Sequence, residues 1–178
     1  MERWGRKEGD AKAMSDREVT DNQDAEALSA QARERRQAND YDEALTLYDR
    51  ALALDAGRVD DWINRGLTLW TLKRNEAALE SFDRALKLDA NSALAWMNRG
   101  NALSDLGRAA EALASYDRAL EIDSHLANGW YNKGDELARA GRFIEAKACF
   151  ENACGLGIPQ AAAMADRCDQ ILMNDMYS

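Results

Sequence analysis

One five-residue phrase occurs three times in this chain, beginning at positions 62, 96 and 130, which is a period of 34 residues. It reads Trp62-Ile63-Asn64-Arg65-Gly66 in the first copy, Trp96-Met97-Asn98-Arg99-Gly100 in the second and Trp130-Tyr131-Asn132-Lys133-Gly134 in the third. A fixed period of about 20 to 50 residues is typical of a solenoid, in which one small unit is stacked on itself. The spacing therefore predicts an array with an extended surface.

Other positions repeat with the same period, two of them alanine and one aromatic. They are Ala44, Ala78, Ala112 and Ala146; Ala51, Ala85, Ala119 and Ala153; and Tyr48, Phe82, Tyr116 and Phe150. Each unit contains two stretches of helical apolar spacing separated by a short polar break, which predicts a helix hairpin. Glycine inside a helix costs about 1 kcal/mol relative to alanine. The repeated glycines therefore predict that another backbone passes closely, and the aromatic residues are expected to fill gaps between hairpins.

This pattern resembles the tetratricopeptide repeat (TPR) family, in which Trp, Gly, Ala, an aromatic residue and Ala recur at fixed spacing. Three units match it throughout: Trp62, Gly66, Ala78, Phe82 and Ala85; Trp96, Gly100, Ala112, Tyr116 and Ala119; and Trp130, Gly134, Ala146, Phe150 and Ala153. The resemblance implies an all-α fold, a right-handed α-solenoid of four helix-hairpin (TPR) repeats plus a C-terminal capping helix.

The predicted limits of these units follow the period. Residues 1–24 are charged and short of apolar residues, which predicts disorder. The first repeat has Leu28, Gln31, Ala32 and Arg35 where the others have Trp, Arg or Lys, Gly and Leu, and a polar first helix suits a terminal repeat. The predicted units are 1–24, disordered; 25–58, the N-capping repeat; 59–92, 93–126 and 127–159, the further repeats; and 160–174, the C-terminal capping helix.

Composition narrows the classes of partner. The net charge of −9 argues against nucleic acid, whose phosphates require a surplus of Lys and Arg on one face. An acidic chain is also repelled by an anionic membrane surface. There is no apolar run of about 20 residues to span a membrane, and the N-terminus shows no signal peptide. The odd number of cysteines, three, argues against a disulfide framework and predicts a reducing cytoplasm.

The sequence offers no catalytic or metal-binding pattern. Cys149, Cys154 and Cys168 lack zinc-site spacing and are expected to be small buried residues, while His125 is expected to be solvated. Arg65, Arg99 and Lys133 are expected to cover apolar surface with their stems and to meet a nearby acid. We therefore predict a protein without enzymatic activity, metal or cofactor.

Within each first helix, the residues one and two positions after the Trp, and those at helical spacing from them, share one face. In the family that this chain resembles, that face lines the concave groove. The predicted peptide-binding residues are Ile63, Asn64, Leu67, Trp70, Leu94, Met97, Asn98, Asn101, Tyr131 and Asn132. Because the residue after the Trp varies between units, it is the position where specificity is expected.

The asparagines at 64, 98 and 132 form a row one repeat apart. A carboxamide offers both a donor and an acceptor, so such a row can pair with the backbone of an extended peptide. Asparagine ladders of this kind occur in the family. The alternative is that these amides bond within or between the helices.

Trp70 stands outside the repeated phrase. With Ile63, Leu67, Leu94 and Met97 it is predicted to form an apolar patch in the groove, and such patches with an aromatic anchor usually bind partners. The alternative is that Trp70 packs only against the neighbouring first helix.

One known activity of the family is not expected here. Its carboxylate clamp needs Lys and Asn, then Asn, then Lys and Arg on three successive first helices. The corresponding residues are Ser29 and Arg33, Asn64, and Leu94 and Asn98, or, one repeat later, Ile63 and Leu67, Asn98, and Asn128 and Asn132. Only the central Asn matches in either register.

The sequence thus favours a protein-protein interaction module or scaffold that holds a peptide or helix of a partner in its groove. A second hypothesis is a structural protein that self-associates through its terminal helices, with Met164 and Cys168 facing a second copy. An enzyme is the weakest option, because no site for one is visible.

Overall fold

The computed structural model describes the backbone of residues 2–177 and the side chains of residues 19–174. In that part of the chain every regular element is an α-helix, and each helix packs mainly on its neighbours in sequence. The predicted all-α stack of helix hairpins is confirmed. The helices are α1 (Glu2–Gln37), α2 (Tyr41–Leu54), α3 (Val59–Thr71), α4 (Asn75–Leu88), α5 (Ala93–Asp105), α6 (Ala109–Ile122), α7 (Ala127–Arg139), α8 (Phe143–Gly155) and α9 (Gln160–Tyr177).

The repeated small and aromatic residues build the inside of the stack. All eight repeat alanines are fully buried, and so are the rings of Tyr48, Phe82 and Phe150. Each repeat glycine lies against the aromatic ring of its own hairpin: a Cβ on Gly66 would lie 2.5 Å from Cε1 of Phe82, and one on Gly100 2.5 Å from Cε1 of Tyr116. The prediction of a close backbone was therefore wrong, because the glycine accommodates a ring of the same hairpin.

The N-terminal helix is longer than the predicted first repeat. α1 begins at Glu2 and continues through the segment for which composition predicts disorder. That segment contains no proline, so nothing in it forces the helix to end. Among the described side chains of α1, fully buried residues begin at Ala25 and include Ser29 and Ala32. Ala32 packs on the hairpin partner α2, whereas the Ser29 hydroxyl donates to Asp61 of α3.

The C-terminal helix closes the array by packing on α8. Its apolar stripe faces the array: Ala161, Ala165 and Cys168 are 0%, 6% and 3% exposed, and Leu172 is half-buried. Lys147 of α8 donates to both carboxylate oxygens of Asp169, at 2.8 and 2.7 Å, and this pairing raises the pKa of Lys147. Apolar burial and one ion pair therefore fix α9 on the last hairpin.

Candidate functional site

The first helices of successive hairpins, α3, α5 and α7, touch one another and form a continuous surface. Asn64, Leu67 and Trp70 are half-buried on α3, and Asn101 and Asn132 are half-buried on α5 and α7. Leu94 is 47% exposed at the start of α5. These predicted groove residues are therefore at least partly accessible, as a binding surface requires.

Two other predicted groove residues lie in the core. Ile63 and Met97 are 4% and 8% exposed and belong to the cluster that packs around Phe82. Tyr131, the third residue that follows a repeat Trp, is half-buried and packs edge-on against Phe150 at 5.6 Å between ring centroids. Stacking buries a wider strip of each first helix than the pattern suggested. The residue after each repeat Trp therefore packs within the stack.

The three asparagines of the row differ in their hydrogen bonds. Asn132 donates from Nδ2 to Oδ1 of Asn101 at 2.8 Å, and the Tyr116 hydroxyl donates to the same oxygen at 3.0 Å. Asn98 differs, because it is 5% exposed and its Nδ2 has no hydrogen-bond partner among the described residues. The side chain of Asn64 is half-buried. One amide of the row is thus engaged within the fold and one holds an unused donor.

A pocket of about 160 Å³ opens between α3, α5 and α7. Three of its lining residues, Trp70, Asn101 and Asn132, are predicted groove residues. Two more, Ser104 and Asp135, lie at helical spacing on the same predicted face, whereas Asp105, Tyr116 and Arg139 were missed. The sequence held one signal for Asp105 and Arg139, since these charged residues stand where the repeat of α3 has Thr71. Tyr116 gave no such signal, because it is a regular aromatic residue of the repeat.

Trp70 forms one wall of this pocket and is held there by a polar contact. Its indole Nε1 donates to Oδ2 of Asp105 on α5 at 2.9 Å, and its ring also packs against the core. Because Ile63 and Met97 are buried, the accessible members of the predicted apolar patch are Trp70, Leu67 and Leu94. The wall is thus an aromatic face beside a carboxylate.

The opposite wall carries a connected set of charges on α7. The Ser104 hydroxyl donates to Oε2 of Glu136, which is only 6% exposed. Arg139 pairs with Asp135 at 2.7 Å and with Glu136 at 3.8 Å. Burial raises the pKa of Tyr116, and the carboxylates of Glu136 and Asp135 raise it further. The Tyr116 hydroxyl is therefore neutral and donates to Asn101.

The basic row serves the stack, as predicted. Arg65 lies over the ring of Trp62 at 5.9 Å and pairs with Asp49 at 2.7 Å. Arg99 repeats this arrangement with Trp96 and Asp83, and Lys133 repeats it with Trp130 and Asp117. These cations bridge adjacent hairpins and leave the groove to other residues.

The cysteines and His125 are the remaining candidate residues of the sequence analysis. Among the described side chains, no group of three or more His, Cys, Asp or Glu residues is placed to hold a metal ion. Cys149 and Cys168 are buried, which raises the pKa of each thiol, and Cys154 is half-buried. The side chain of His125 is 85% exposed. Within the described residues, no helix has the length and apolar character needed to cross a membrane.

Comparison with protein families identifies the repeat. Tetratricopeptide repeat models match residues 29–93, 63–127 and 127–156. The chain belongs to the tetratricopeptide repeat family. A comparison of its sequence with curated proteins gives no match.

Solved TPR structures share the fold. The chain superposes on MamA with a TM-score of 0.73 at 21% identity, over 78% of this chain and 82% of MamA. YrrB, described as a TPR protein with an unusual peptide-binding site, gives a TM-score of 0.69 at 22% identity, over 83% and 77% of the two chains. The first TPR domain of Spaghetti (RPAP3), bound to the HSP90 peptide SRMEEVD, gives 0.62 at 24% identity, over 69% and 94%. The TPR family and fold support a protein-interaction module.

Proposed function

We propose that this TPR protein is a non-enzymatic scaffold that binds an extended segment of a partner protein in the groove formed by α3, α5 and α7. In this proposal the amides of Asn64 and Asn98 bond to the backbone of the segment, and Trp70 and Leu67 contact its side chains. Peptide binding by the TPR structures of YrrB and Spaghetti supports the assignment of class. The binding residues that we propose are chosen from the structure of this chain and are not transferred from those proteins.

The unused donor of Asn98 is the observation that carries the proposal. A buried N–H group without a partner costs roughly 1–3 kcal/mol, so folded proteins rarely retain one without a reason. Asn98 lies on α5, the middle of the three groove helices, one repeat after Asn64 and one repeat before Asn132. Because Nδ2 is covered in the free protein, a backbone carbonyl of a bound segment would reach this donor after the Asn98 side chain turns towards the groove. The energetic cost of the unpaired donor would then be recovered on binding.

We propose further that the segment is not held by a carboxylate clamp. The two registers place Leu94 or Asn128 where the clamp requires its second Lys. Leu94 is exposed and apolar, and Asn128 is exposed and uncharged. The basic residues of the first helices that recur at the period, Arg65, Arg99 and Lys133, are engaged with carboxylates between hairpins. The groove thus favours recognition within a chain over recognition of its C-terminal carboxylate.

The test is Asn98→Leu, a change of similar size that removes the unpaired amide. We expect the variant to unfold at a higher denaturant concentration than the parent, because an unsatisfied buried group is replaced by an apolar one. We also expect it to bind peptides selected on the parent protein from a random display library about tenfold more weakly, which corresponds to ~1.4 kcal/mol. Chemical denaturation and fluorescence anisotropy measure the two effects.

Asn132→Leu is the matched control. Its amide donates to Asn101, so its loss should lower stability by about 1 kcal/mol. If the Asn98→Leu variant binds selected peptides as tightly as the parent, or if no peptide can be selected, the groove proposal fails. Opposite signs of the two stability changes, with weaker binding by Asn98→Leu, support it.

Self-association through the terminal helices has less support. Cys168, one of the two residues expected to face a second copy, is 3% exposed and packs on α8, and Met164 is half-buried in the same cluster. Light scattering on the full chain decides between a monomer and a self-associated form. From the odd number of cysteines, three, we infer a reducing compartment such as the cytoplasm.

A further inference from the structure

We propose that the pocket between α3, α5 and α7 is a receptor for a lysine side chain of the bound segment. This inference rests on the proposed function and adds the chemistry of the partner. Trp70 and Asp105 would hold the ammonium group, the indole through its π face and the carboxylate through charge. The hydrogen bond from Trp70 Nε1 to Asp105, 2.9 Å long, fixes these two groups relative to each other.

An ammonium group of the chain itself already lies at this place. Nζ of Lys73 is 5.7 Å from the centroid of the Trp70 ring and 3.5 Å from Oδ2 of Asp105. The Lys73 side chain is 76% exposed and does not line the pocket itself, so only weak contacts hold its ammonium group beside Trp70 and Asp105. Trp70 and Asp105 thus bind a lysine ammonium in the free protein, and a partner's lysine would displace it.

The backbone conformation of Lys73 is one that lysine rarely adopts. Lys73 has a φ of +60°, in the left-handed region that favours glycine. The turns one and two repeats later have glycine at the same position, Gly107 with φ +71° and Gly141 with φ +74°. The chain therefore carries a lysine where its own repeat provides a residue without strain. Strained positions of this kind concentrate at functional sites.

The charges around the pocket also favour a cation. α5 contributes Asp105, and α7 contributes Asp135, Glu136 and Arg139. Arg139 is paired with both acids of its own helix, so its positive charge is balanced before any ligand arrives. Once Lys73 is displaced, Asp105 has no cation opposite it among the described residues. The net charge of −9 also attracts basic segments over longer distances.

The direct test uses small probes on the full chain. Nα-acetyl-lysine methylamide is titrated while the indole N–H signals of the tryptophans are followed by NMR, with Trp70 assigned through Trp70→Phe. The norleucine and glutamate analogues serve as probes of equal backbone and different charge. We expect the lysine probe to shift the Trp70 indole signal at millimolar concentration and the other two to leave it in place. An equal shift with norleucine would overturn the proposal.

Two variants sharpen the test. Lys73→Gly removes the internal competitor and should tighten binding of the lysine probe about three- to tenfold. Asn39→Gly, at the other described non-glycine position with positive φ, relieves the same kind of strain and should leave binding unchanged. Asp105→Asn keeps an acceptor for the Trp70 indole but loses the charge, and should weaken binding at least tenfold. Unchanged affinity in both Lys73→Gly and Asp105→Asn would refute the receptor.

The same peptide selection separates this inference from the function on which it rests. Peptides that bind and depend on Asn98, but contain no preferred lysine, would leave the groove proposal standing and refute the lysine receptor. A lysine probe that shifts Trp70, in a protein from which no binding peptide can be selected, would support the receptor and refute the groove. Selected peptides enriched in lysine support both.

Discussion

Single residues of the repeat act through the space that they leave or fill. Gly100 shows this most directly, because a Cβ there would lie 2.5 Å from Cε1 and 2.7 Å from Cδ1 of Tyr116, a ring that is only 2% exposed. Alanine has the better helix propensity by about 1 kcal/mol, yet the ring cannot move without disturbing a packed core. We expect Gly100→Ala to lower the free energy of unfolding by about 1–2 kcal/mol, as measured by urea denaturation.

Gly155→Ala is the control for that substitution. Gly155 also lies in a helix, but no atom approaches within 4 Å of its added Cβ, so propensity alone decides the outcome. We expect a gain of up to about 1 kcal/mol. If both variants change stability in the same direction, then the ring contact is not the reason for glycine at position 100.

At the scale of single residues, the sequence predicted the structure least well. The period shows which positions are equivalent, but it does not show how wide a strip of each first helix is buried when hairpins stack. Ile63 and Met97 lie at the edge of that strip, and only the packing places them inside. Trp70 was recognisable because it departs from the repeat, whereas its partner Asp105 lies 35 positions later and is brought to it by the fold.

At the scale of helices, a repeated bridge links three of them. Nε of Arg99 on α5 donates to Asp83 on α4, and another guanidinium nitrogen donates to Ser115 on α6, each at 2.7 Å. Arg65 makes the same pair of contacts with Asp49 and Ser81. In the last repeat Lys133 reaches Asp117, and Cys149 stands at the position of the serine. The bridge therefore weakens towards the C-terminus.

We expect Arg99→Met to lower stability by about 1–2 kcal/mol, because methionine keeps much of the apolar stem and loses both hydrogen bonds between helices. Arg118→Met is the matched control. Arg118 pairs with Glu121 in the same helix, and both side chains are more than half exposed, so its loss should change stability by less than about 0.5 kcal/mol. Equal effects of the two substitutions, in thermal or urea unfolding, would show that the bridge contributes nothing between hairpins.

For the whole molecule, periodicity was enough to predict the architecture. Each hairpin packs only on its neighbours, so the fold requires only that the contact surfaces of adjacent hairpins fit each other. The residues that form these surfaces recur with the period and can therefore be read from the sequence. The polar pocket was not predictable in this way. Its contacts, such as Ser104 with Glu136 and Asn101 with Asn132, occur between neighbouring hairpins but are not repeated along the chain. Contacts that occur once along the chain give no periodic signal in the sequence. In this protein such contacts form the polar pocket of the groove.

Nearest-neighbour packing also predicts how a local defect spreads. Ala165 of α9 is 6% exposed in the cluster that contains Phe150, whereas Ala163 on the same helix is exposed. We expect Ala165→Asp to bury an unpaired carboxylate, release α9 from α8 and lower hydrogen-exchange protection most in α8 and α9, less in α7, and least in α3 and α4. Ala163→Asp should leave protection unchanged throughout. A uniform loss along the chain after Ala165→Asp would instead show that the array unfolds as a single cooperative unit, because a defect at one end would then be felt equally at the other.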